Sequence, residues 1–157
     1  MVPASAVASS MALARGPDPR SSSATSPSDG PLSRGDRLTG HYFCIQGRTE
    51  LTLVIEDARG DEIEAIFEFV YRGGTPGHAP AEGSYRMHGT LDRRTGKLAL
   101  EAGDWIAQPQ NYATVDLEGT LSTDPSGTQT YRGRVKPPGG VGCSTFHVTR
   151  RAVLPSR

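Results

Sequence analysis

Between residue 38 and about residue 153, apolar and polar residues alternate with a period of two, in short runs separated by Gly, Asp, Pro and Ser. A strand places successive side chains on opposite faces, so each run reads as a strand with one buried face and one wet face. Ile63, Ala65, Phe67, Phe69 and Tyr71 form one apolar set, Tyr85, Met87, Gly89 and Leu91 another, and Val115, Leu117, Gly119 and Leu121 a third. Shorter sets are Leu51, Leu53 and Ile55, then Leu98 and Leu100, Tyr131 and Val135, and Phe146 and Val148. The first strand, near residues 40–46, carries Tyr42 and Cys44 on one face and Phe43 and Ile45 on the other. Turn-forming residues at 57–61, 92–96, 122–127 and 137–140 separate the runs. No stretch of ten residues carries a helical period. The expected fold is all-β: an antiparallel meander of about eight strands, closed into a small up-and-down barrel because closure removes exposed edges.

Residues 85–92 and 115–122 echo each other at an offset of 30, both reading apolar, polar, apolar, polar, Gly, Thr, Leu. The interval suits a repeated hairpin. Glycine inside a strand marks a bend or a close backbone approach, which places Gly89 and Gly119 where the sheet coils.

The opening Leu38-Thr39-Gly40-x-Tyr42, then Gln46-Gly47-x-Thr49 and Leu51-Thr52-Leu53, resembles the first hairpin of avidin-type barrels. Gly83-Ser84-Tyr85-x-Met87-x-Gly89 is similar to the glycine-rich middle strands of that family. The resemblance implies the barrel architecture and not the ligand, since the polar and tryptophan residues that hold biotin are not matched and Trp105 is the single tryptophan. The segment from Trp105 through Pro109 and Tyr112 to Gly119 also resembles a small bacterial β-domain of unassigned function, and implies no activity.

Composition changes the picture at the chain ends. The 157 residues suffice for one domain with a tail. Residues 1–37 are rich in Ser, Pro, Ala and Gly and hold no aromatic residue, which predicts a disordered leader or linker. A targeting segment is the alternative, although the apolar positions among residues 2–13 are interrupted by Ser5, Ser9 and Ser10 and no basic residue precedes them. The barrel domain is assigned to residues 38–153 and a short tail to 154–157. Seventeen basic residues balance seventeen acidic ones, which argues against nucleic acid as a partner. No apolar run approaches the roughly 18 residues of a membrane-spanning helix.

Cys44 lies in the first predicted strand and Cys143 at the start of the last. Closure makes these strands neighbours, so a disulfide is predicted, and with it an extracytoplasmic or secreted location. The histidines lack metal-ligand spacing, and no nucleophile, phosphate-loop or dinucleotide motif is present, so neither a cofactor nor a metal is expected. Glu62, Glu64 and Glu68 share a strand face that solvation explains better than catalysis. The segment 103–112 breaks the alternation and reads as a loop that concentrates Trp105, Gln108, Asn111 and Tyr112, the candidate binding residues. Trp105 and Tyr112 either offer a flat platform to a ligand or plug the barrel end, and the plug is the favoured reading. Residues 72–82, rich in Gly and Pro, form a candidate lid or contact loop. The expected function is a non-catalytic binding module that presents barrel-end loops to a small molecule, glycan or protein. The alternatives are a protein-interaction or inhibitor domain and a small hydrolase using strand carboxylates. Ligand identity and oligomeric state are not legible.

Overall fold

The structure is a computed structural model that describes residues 30–151. Eight strands follow in order: β1 (Arg37–Cys44), β2 (Gly47–Arg59), β3 (Glu62–Tyr71), β4 (Ala81–Leu91), β5 (Lys97–Ala107), β6 (Asp116–Thr123), β7 (Gln129–Lys136) and β8 (Cys143–Arg150). Each pairs antiparallel with the next, and β8 returns to pair with β1, closing the barrel. The alternating apolar sets line the interior: Leu51, Leu53 and Ile55 of β2 and all five apolar residues of the β3 set are buried. Their polar neighbours Glu62, Glu64 and Glu68 face outward.

The barrel has two different ends. The base gathers the tight turns after β2, β4 and β6. There the Asp92 carboxylate accepts hydrogen bonds from the backbone N–H groups of Arg94 (3.0 Å) and Thr95 (3.3 Å), and Asp124 does the same for Ser126 (2.9 Å) and Thr128 (3.1 Å). Gly96 ends its turn at φ +83°, where only glycine is unstrained. The mouth gathers the longer connections, residues 72–80, 108–115 and 137–142, with the short β1–β2 turn.

The barrel starts earlier than composition indicates. Residues 30–36, read as leader, cross the base, and Leu32 enters the core at 2% exposure. The Gly35 N–H donates to the Ile55 carbonyl at 2.8 Å, and the Ile55 N–H donates to the Asp36 carbonyl at 2.8 Å. The Gln129 amide donates to the Pro31 carbonyl, and Arg150 reaches both the Gln129 amide oxygen (2.9 Å) and the Asp36 carboxylate (3.6 Å). A single leucine among polar residues is diluted in any compositional average, yet one apolar side chain is enough to stopper the base. Residues 1–29 and 152–157, with most of the leader reading and the 154–157 tail, lie outside the described residues. Leu32→Ala is expected to cost about 2–5 kcal/mol, the usual range for emptying a core leucine site. Urea denaturation measures it, and an unmoved midpoint would show the stopper to be dispensable.

β5 and β6 pair only over Lys97–Thr120 to Leu100–Leu117. Beyond that point β5 leaves β6, and side chains replace the ladder. The Asp116 carboxylate accepts the Ala102 N–H at 2.8 Å, while the buried Tyr85 hydroxyl bonds both the N–H and the carbonyl of Val115 at 3.0 Å. These bonds satisfy backbone groups that would otherwise be lost at the gap.

Candidate binding site at the barrel mouth

A cavity of about 410 Å³ opens at the mouth and runs down into the barrel. Its inner wall is made by inward-facing aromatic residues at the mouth ends of β1, β3 and β4: Tyr42, Phe67, Phe69 and Tyr85. Phe67 and Tyr85 stack with centroids 4.7 Å apart and an interplanar angle of 14°, and Tyr42 meets Phe67 edge-on at 5.2 Å. Tyr112 comes down from the 108–115 loop and stacks on Phe69 at 5.2 Å. Ile45, Pro137, Pro138 and Val141 form the lip, beside the Cys44–Cys143 disulfide. The predicted pairing of those cysteines is present, and the bond joins the tip of β1 to the start of β8 on the seam that closes the barrel.

Polar groups in the cavity are few and fixed in place. Gln46, 5% exposed, donates its amide N–H to Thr49 Oγ1 at 2.8 Å. Thr75 Oγ1 donates to the Gln46 carbonyl at 2.6 Å, and the Thr75 N–H donates to the Tyr71 hydroxyl at 2.8 Å. These two bonds tie the 72–80 loop down across the β1–β2 turn and bring His78 to the cavity edge. Burial pushes the Tyr42 phenol well above its ordinary value, so it stays protonated at any physiological pH. Burial raises Tyr112 as well. No Asp, Glu, Lys or Arg lines the cavity.

The four residues singled out in the sequence divide into two pairs. Asn111 and Tyr112 line the cavity; Trp105 and Gln108 do not. Asn111 turns the loop at φ +66°, a conformation that asparagine tolerates better than most residues. The Gln108 amide donates to the Tyr112 carbonyl at 3.1 Å, which braces the loop that carries Tyr112. Trp105 is not in a loop. It lies in β5, which runs on to Ala107. The alternation breaks there because of a β-bulge: Tyr85 and Met87 of β4 pair with Trp105 and Ala102, so β5 holds one residue more than β4 over that step. The bulge keeps both Ala102 and Trp105 packed against the core although they are an odd number of residues apart. The indole meets Tyr85 at 5.0 Å and Phe69 at 6.3 Å, both edge-on, and supports the cavity wall from behind.

Sequence reasoning missed the inner wall as a site, along with Gln46, His78 and the lip residues. Alternation marks Tyr42, Phe67, Phe69 and Tyr85 as inward; nothing local marks them as neighbours at one end. Glu62, Glu64 and Glu68 do not line the cavity. Among the described residues, no group of three or more His, Cys, Asp or Glu side chains is placed to hold a metal ion, and no helix is long and apolar enough to cross a membrane. No protein-family model, curated protein or solved structure matches the chain.

Proposed function

We propose that the barrel mouth binds a small, uncharged, largely apolar molecule as a non-catalytic binding module. The observation that carries this reading is the aromatic-walled cavity of about 410 Å³ without a carboxylate, lysine or arginine in its lining. A charged ligand buried there would lose hydration with no ionic partner, whereas flat apolar ligands gain contact with the rings of Tyr42, Phe69 and Tyr112. Gln46, Asn111 and His78 are left to orient it by hydrogen bonds, the usual division of labour in small-molecule sites. The reading shares its architecture with the avidin-type resemblance and takes no ligand from it.

A pair of fluorescent probes tests it. N-Phenyl-1-naphthylamine is neutral, and 8-anilinonaphthalene-1-sulfonate adds a sulfonate to the same ring system. Saturable fluorescence enhancement is expected with the neutral probe, and binding at least about tenfold weaker with the sulfonate, a difference of about 1.4 kcal/mol. Tyr112→Ala is expected to weaken the neutral probe with little change in the unfolding midpoint, as for an aromatic anchor in a binding site. Trp105→Ala is expected to act chiefly on the midpoint. Tighter binding of the sulfonate, or no saturable binding of the neutral probe, would overturn the reading.

One observation favours a second reading. Ile45 (73% exposed) and Val141 (79% exposed) stand out from the lip, where they suit insertion into a partner protein as in an interaction or inhibitor domain. Ile45→Asp with Val141→Asp would then abolish association with that partner and leave probe binding in place.

A further inference from the structure

The outer surface of the barrel is electrically divided although the chain has no net charge. β3, β4 and β5 direct Glu62, Glu64, Glu68, Glu82, Glu101 and Asp104 outward on one side. On the other side, β7 places Arg132 and Arg134 two residues apart on one face. Arg132 lies between Thr120 of β6 and His147 of β8, and Arg134 lies between Glu118 and Thr145. The side chains of Thr120, Ser122, Arg132, Arg134, Thr145 and His147 enclose a groove of about 680 Å³ on this wall.

The two arginines differ from others on the barrel. Arg37 pairs with Glu68, Arg72 with Glu50 and Arg86 with Glu56. Among the described residues, no carboxylate lies within ion-pair distance of Arg132 or Arg134. The acids nearest in register are engaged elsewhere: Glu118 reaches Lys136 Nζ at 3.5 Å, and Glu50, opposite His41, is held by Arg72. The next strand continues the cationic wall, with His41 stacked on His147 at 6.1 Å.

We propose that this groove is a second ligand site, specific for a phosphate or sulfate oxyanion clamped between the Arg132 and Arg134 guanidiniums. Guanidinium groups present forked N–H donors that match such oxyanions, and charge-assisted hydrogen bonds are the stronger kind. The hydroxyls of Thr120, Ser122 and Thr145 supply further donors around the groove, and His147 closes one flank. The groove shares no residue with the mouth cavity, so this inference stands or falls separately from the proposed function.

Calorimetric titration of the full chain at low salt with inorganic phosphate, inorganic pyrophosphate and a sulfated disaccharide tests it. Saturable one-to-one binding is expected, and the order of the three affinities distinguishes a free phosphate from a larger ligand that carries the oxyanion. Arg132→Gln with Arg134→Gln is expected to weaken binding at least about tenfold. Arg37→Gln with Arg86→Gln removes the same charge from paired sites and is expected to weaken it less than about twofold, as screened long-range attraction does. Arg132→Lys with Arg134→Lys keeps the charge without the fork and is expected to fall between. Equal weakening in both glutamine variants, or no saturation with any of the three anions, would overturn the site. Neutral-probe binding at the mouth is expected to be unchanged in every variant.

Discussion

Replacing Cys44 and Cys143 together by alanine is expected to lower the stability of the barrel by about 4–5 kcal/mol, the chain-entropy value for a closed loop near 100 residues. The sequence separation here is 99. The bond acts chiefly by restricting the unfolded chain, and that restriction is large because the cysteines lie near the two ends of the barrel sequence. It also sits on the only seam joined by strands distant in sequence: every other neighbouring pair in the barrel is consecutive. Closure of β1 on β8 brings together the most distant parts of the fold and carries the largest loop-closure cost of any pairing in it. Unfolding midpoints in urea with and without reductant measure the effect. A second consequence is local. Cys44 and Cys143 both border the mouth cavity, and losing the bond frees the 137–142 loop that carries Pro137, Pro138 and Val141. Affinity for the neutral probe is therefore expected to fall along with stability. An unmoved midpoint under reductant, or two titratable thiols in the denatured, unreduced protein, would contradict this account.

Gly119→Val is expected to cost at least about 3 kcal/mol, at or above the top of the usual range for overpacking, and to leave little folded protein. A Cβ at Gly119 would run into the carbonyl oxygen of Arg132 on β7, and its neighbour across the strand pair is another glycine, Gly133. The obstacle is backbone and cannot turn aside as a flexible side chain would. Gly89, at the matching place in the echoing strand, faces the same obstacle from the Ala99 carbonyl on β5, so Gly89→Val is expected to behave alike. Gly103 supplies the contrast. Its nearest backbone neighbour, the Arg86 carbonyl oxygen, is 3.4 Å from an added Cβ, and Gly103→Ala is expected to stay within about 1 kcal/mol of the parent. Thermal unfolding of the three variants compares them. Similar midpoints for Gly119→Val and Gly103→Ala would show that the repeated glycines do not mark sites of tight coiling.

The all-β class, the strand count and the inward set were legible because alternation is a local property. Whether Phe67 and Phe69 face inward depends on the pleat of one strand, and the residues on either side report it. The disulfide was within reach for a related reason: a meander that closes has to bring its first and last strands together. Trp105 shows where local reading fails. One extra residue at a bulge reverses the parity of everything after it, and the break in alternation that results looks the same as the start of a loop. Leu32 shows another failure, since a lone apolar residue in a polar segment has no periodicity to announce it, and only the open base of the barrel gives it a place.

The mouth cavity belongs to the tertiary structure. Tyr42, Tyr85 and Tyr112 come from β1, β4 and a loop far along the chain, and they become one wall only when closure sets the register of all eight strands. Sequence by itself determined which side chains turn inward, and it singled out the 103–112 segment by its composition. The tertiary structure decided that Asn111 and Tyr112 face the cavity while Trp105 and Gln108 brace it. The physical reason is that strand patterning follows from neighbours two residues apart, whereas an enclosed volume depends on contacts between segments separated by many tens of residues, whose relative placement no short-range pattern encodes.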